Sequence, residues 1–103
     1  MDNVLSFYQE LGFEEIDIED NLTALFIETG EDGSYALLTD DNGEMPKQLR
    51  QTVFFACYSA AGAFQWSASF KNSFLFKDTW LRSDTITDKL EALRLHREQN
   101  ETF

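Results

Sequence analysis

Between Phe13 and Phe70 the chain is cut by turn signals at such short intervals that no uninterrupted piece is long enough for an ordinary helix. The cuts are Asp20-Asn21, Gly30-Glu31-Asp32-Gly33, Asp40-Asp41-Asn42-Gly43 and Ser59-Ala60-Ala61-Gly62. Each is rich in residues that supply tight-turn geometry. The pieces they bound, 13–20, 22–29, 34–39, 52–58 and 63–70, have the length of strands. Strands joined by short turns pair antiparallel.

Patterning within the pieces agrees. Phe13 to Asp20 alternates, with Ile16 and Ile18 to one side and Glu15, Asp17 and Glu19 to the other, which predicts a half-buried strand with a charged outer face. Residues 22–29 and 52–58 are apolar on both faces, as strands buried on both sides are. In 63–70, Phe64, Trp66, Ala68 and Phe70 alternate with Gln65, Ser67 and Ser69, predicting a hairpin with the preceding strand.

The flanking segments have helical spacing. Val4, Phe7, Tyr8 and Leu11 form a stripe over residues 2–12, with Asp2 or Asn3 to cap it and Gly12 to end it. Residues 74–82 are aromatic nearly all round and predict a short buried helix. A C-terminal helix starts at the capping box Thr85/Asp88, turns Ile86, Leu90 and Leu93 inward and carries Glu91/Arg94, Arg94/Glu98 and Arg97/Glu101 outside. Residues 44–51, with the only proline, read as a connector or one helical turn. The order predicts a single α+β domain over residues 1–103: about five antiparallel strands, with an N-terminal helix and one or two C-terminal helices packed on the sheet.

Charge is the second constraint. Residues 1–46 hold 13 acids and no Lys or Arg, whereas residues 47–103 hold 8 basic and 6 acidic residues, so the halves carry −13 and +2. With 43% hydrophobic and 15% aromatic residues, this acidity belongs to the surface of a folded chain. A net charge of −11 repels phosphate and predicts no direct binding to nucleic acid or anionic membrane. One cysteine, no basic leader and no run of 18 apolar residues predict a cytoplasmic protein.

No constellation nominates chemistry. Calcium-loop registers through Gly33 or Gly43 put the wrong residues at the ligand positions. One Cys and one His fall short of a zinc set. The five glycines form no phosphate loop. Cys57, inside an apolar strand, is expected to be a packed thiol with a raised pKa, and His96 a helix-surface or boundary residue. No cofactor, no metal and no enzymatic activity are expected.

Three functional expectations follow. The first is a binding or regulatory module of the inhibitor, immunity or adaptor type, docking a basic partner protein through Glu15, Asp17, Glu19, Glu31, Asp32, Asp40 and Asp41. The second is a chaperone-like homodimer: if the helices cover one sheet face only, the other is an apolar patch. The third is a small-molecule pocket, or an enzyme built on one, lined by Tyr58, Phe64, Trp66 and Trp80.

Overall fold

The computed structural model describes residues 3–18 and 22–100. The predicted Asp20-Asn21 turn, Glu19, Asp2 and Glu101 lie outside the described residues. The elements are α1 (Val4–Gln9), β1 (Glu14–Asp17), β2 (Thr23–Glu28), β3 (Tyr35–Thr39), β4 (Val53–Tyr58), β5 (Phe64–Phe70), α2 (Ser73–Trp80) and α3 (Ile86–Asn100). The strands form one antiparallel sheet in the order β1-β2-β3-β4-β5, with α1 before it and α2 and α3 after it. The fold is α+β.

Local chemistry sets the helix ends. The Asn3 side chain accepts from the Ser6 amide at 3.1 Å and starts α1. Gly12, at φ +100°, ends it: the Gly12 amide donates to the Gln9 carbonyl, and the Phe13 amide reaches back to the Tyr8 carbonyl at 3.0 Å. This is a Schellman closure, and its usual apolar contact is present, with the Tyr8 and Phe13 rings edge to face at 5.5 Å. Asn72 caps α2 by accepting from the Leu75 amide at 2.8 Å. Thr85 accepts from the Asp88 amide at 3.2 Å and opens α3. At the far end of α2, Lys89 of α3 donates to the carbonyls of Trp80 and Ser83, supplying donors and positive charge where a helix lacks both.

All three helices pack on the same sheet face. Val4 and Tyr8 of α1, Phe76 and Trp80 of α2 and Leu93 of α3 share one buried cluster with Leu25, Leu38, Val53, Phe55 and Phe70 of the sheet. Phe76 is its hub, with its ring 5.2–5.8 Å from those of Tyr8, Phe13, Phe55, Phe70 and Trp80. Two long-range hydrogen bonds lock α1 to α2: the Tyr8 hydroxyl donates to Ser73 Oγ at 2.6 Å, and Trp80 Nε1 donates to the Leu11 carbonyl at 3.2 Å.

The structure departs from the sequence expectations at three places. In β1 the pairs Glu15↔Leu25 and Ile16↔Ala24 place Glu15 on the helix-bearing face and Ile16 on the other, because directly paired residues share a face. Phe13, buried in the core, sets that phase; β1 is an edge strand that carries its acids past the limit of the helix layer. In β5, a register shift at Cys57/Tyr58 leaves Trp66 opposite Cys57 and Phe64 opposite Tyr58, so Phe64 and Trp66 fall on opposite faces. One extra residue inserted into a strand has this effect. Residues 44–51 form no helix. They serve as a loop whose Met45 and Leu49 pack against the core and whose Leu49 carbonyl accepts from the Ser73 amide at 2.8 Å.

The two faces therefore differ in sensitivity. Phe76→Ala is expected to cost about 3–5 kcal/mol, the range for truncating a fully buried Phe, read as a lowered midpoint in urea denaturation.

Candidate functional site

The face away from the helices is built from alternate residues of each strand: Ile16 on β1, Phe26 on β2, Tyr35 and Leu37 on β3, Phe54 and Tyr58 on β4. None of these belongs to the helix-side core cluster, and each is only half-buried. Phe64, brought over by the bulge, is 59% exposed. The small Ala24 disappears between its larger neighbours at 0%.

A row of rings crosses this face from strand to strand. Phe26 stacks on Tyr35 with centroids 5.6 Å apart, Tyr35 on Tyr58 at 5.3 Å, and Phe64 meets Tyr58 edge-on at 5.9 Å. Cross-strand aromatic pairs of this kind contribute about 0.2–1 kcal/mol each to a sheet. They also leave a continuous apolar surface facing outward. Within the strands, the only charged side chains sharing it are Glu14, paired with Phe26, and Glu28, paired with Tyr35. The other large exposed apolar side chains, Phe74, Leu81 and Leu95, are scattered over the helix layer and its connections.

The seven acids singled out in the sequence do not form one strip. Glu15 and Asp17 lie exposed on the helix-bearing side of the β1 edge. Glu31 and Asp32 are in the β2–β3 turn, whereas Asp40 and Asp41 are in the β3–β4 connection at the opposite end of the sheet. Glu19 is outside the described residues. Asp32 accepts from the Ser34 amide at 3.0 Å, and its hydrogen bonds to Ser34 hold its carboxyl below the ordinary range.

Asp40 is a different kind of acid. Only 2% exposed, it accepts through Oδ1 from the amides of Asn42 at 2.8 Å and Glu44 at 3.1 Å, and through Oδ2 from Gln51 Nε2 at 3.3 Å. Gln51 in turn accepts from the Lys47 amide at 3.0 Å. The carboxylate thus organises the connection from within and is not available to a partner.

The four aromatics expected to line a pocket are also separated. Tyr58 and Phe64 stand on the open face, whereas Trp66 and Trp80 lie on the helix side, each in contact with Phe55. Two shallow clefts of about 300 Å³ are found elsewhere: one lined by Leu22, Thr23, Glu44, Met45, Pro46 and Lys47, the other by Gly12, Glu14, Phe26, Ile27 and Glu28. Cys57 is buried on the helix side, and desolvation pushes its thiol up to about 12 despite the opposing charge of Arg94. His96 stacks on Phe70 at 4.2 Å and donates from Nε2 to the Ser69 carbonyl at 3.1 Å, tying α3 to β5. Nothing in the sequence around His96 signalled that role, which depends on where α3 docks.

Among the described residues no group of three or more His, Cys, Asp or Glu is arranged to hold a metal, and no helix is long and apolar enough to cross a membrane. No protein-family model, curated protein or solved structure matches the chain. The site's chemistry therefore has to be read from its own geometry.

Two outcomes test these assignments. Asp40→Ala, which orphans three donors, is expected to cost about 2–4 kcal/mol in urea denaturation, with Asp40→Asn roughly half as damaging because one acceptor oxygen remains. For Cys57, the fold favours the neutral thiol, so its contribution to stability is complete below the unfolded pKa near 8.5 and declines as pH rises above it. At pH 8 a thiol reagent is expected to label Cys57 at the rate of unfolding, with labelling accelerating in urea in step with loss of structure.

Proposed function

We propose that the chain is a protein-binding module that docks its partner on the open face of the sheet. The observation that supports this reading is the one-sided helix layer: it leaves Phe26, Tyr35, Leu37, Phe54, Tyr58 and Phe64 half-covered on the other side. A contiguous apolar surface rimmed by polar groups is characteristic of interaction sites. Tyrosine and phenylalanine are also the residues that gain most from being desolvated at an interface.

Charge selects the occupant. The charged strand residues on this face, Glu14 and Glu28, are both acidic, and Glu31, Asp32 and Asp41 project from turns at its two ends. A second copy would bring the same acids and no compensating cation from these strands. A partner with an apolar centre and a lysine- and arginine-bearing rim meets both features at once. The acidic half then speeds encounter, and the aromatic row provides the lasting contact.

Leu37→Lys tests the reading, with Leu95→Lys on the exposed side of α3 as control. Partner retained from lysate of the source cells by the unaltered chain is expected to fall at least tenfold with L37K and to be unchanged with L95K, while both variants keep a Tm within a few degrees. Equal retention by both variants overturns the open-face reading. A concentration-dependent dimer that L37K splits, measured by sedimentation, would assign the face to a second copy.

A further inference from the structure

We infer that the partner presents an arginine whose guanidinium sits at the β1–β2 end of the open face, between Glu14 and Glu28 and against the Phe26 ring. The inference deepens the docking reading and rests on it, but its seat can be probed separately.

The seat is a step in the sheet edge. The last pair of β1 with β2 is Glu14↔Phe26, and β2 runs on through Ile27 and Glu28 with no β1 residue opposite. The step is a shallow cleft of about 310 Å³ lined by Gly12, Glu14, Phe26, Ile27 and Glu28. Gly12 keeps its approach clear, since the nearest atom to a side chain placed there would be Ile27 Cδ1 at 3.5 Å. The aromatic row ends at this step: Phe26 stacks on Tyr35 inward, and no further ring continues the row beyond it.

Three features select a guanidinium. Glu14 is directly opposite Phe26 and Glu28 is two residues on, so the carboxylates stand about 7–8 Å apart at the backbone, the spacing of diagonal strand neighbours. A flat group with five donors can lie against the ring and reach both carboxylates, whereas an ammonium reaches one and stacks poorly. The chain supplies no cation of its own: residues 1–46 contain no Lys or Arg, and among the described residues the ion pair present is Arg82–Asp78 on α2. Residues following the arginine would then cross the strands over Tyr35 and Tyr58.

The test uses amide chemical shifts of the full chain titrated with N-acetyl-arginine amide, and with the neutral isostere N-acetyl-citrulline amide and N-acetyl-lysine amide as comparisons. The arginine compound is expected to give saturable millimolar shifts at Gly12, Phe26 and Glu28, at least fivefold tighter than lysine, with none from citrulline. E14Q/E28Q is expected to weaken binding at least tenfold; if that double variant loses its native spectrum, E28Q alone is read for a weaker loss. Equal binding of lysine or citrulline overturns the inference, as does an arginine response spread equally over Asp32 and Asp41 or unchanged in the variant. Failure here with partner retention still lost in L37K removes the arginine seat alone. A specific arginine response with L37K still holding its partner removes the docking reading and leaves the seat as an isolated cation site.

Discussion

A meander has no crossover connection, and that constraint governs the rest of this molecule. Every link between its strands is a turn or loop at one end of the sheet, so no connecting segment can lie across a face. Only the segments before the first strand and after the last are free to cover one. In this chain both go to the same side, drawn together by the rings around Phe76 and fixed by the Tyr8–Ser73 and Trp80–Leu11 hydrogen bonds. An open second face follows from the connectivity together with that shared docking site.

This is also where sequence reading reaches its limit. The strand pieces, the glycine that ends α1, the buried thiol and the caps at Asn3 and Thr85 were legible because each depends on a local pattern or a single residue's backbone preference. The apolar character of β2 and β4 on both faces was legible too. Its meaning was not: a strand buried on both sides and one with an apolar face open to a partner have the same alternation. The phase of β1 was hidden because it is set by Phe13, whose burial depends on α1 folding back over the sheet. Phe64 changed sides through a bulge that no residue in 63–70 announces. Asp40 looks like any other acid in an acidic turn until Gln51, eleven residues away, is seen to hold its second oxygen.

The cations complete the electrostatic picture. Lys77 lies over the Phe7 ring, Lys89 over Trp80 and Arg94 over Trp66, each 5.3–5.9 Å from the ring centre. Half-buried cation–aromatic contacts of this kind are worth about 0.5–1 kcal/mol at exposed sites. They also place positive charge on the helix layer while the acids stay on the sheet edge and turns. The −13 and +2 halves of the sequence thus become two differently charged regions of the folded molecule, and a basic partner approaching from solution is turned toward the sheet.

The period of two along β2, β3 and β4 has a consequence for how such a chain can change over time. Successive residues answer to different demands: Leu25, Leu38 and Phe55 to folding, their neighbours Phe26, Leu37 and Phe54 to whatever meets the open side. Substitutions at the second set alter little of the buried packing, so recognition can drift without the fold losing its margin. The two records are interleaved residue by residue on one ribbon, yet each can be rewritten while the other is left intact.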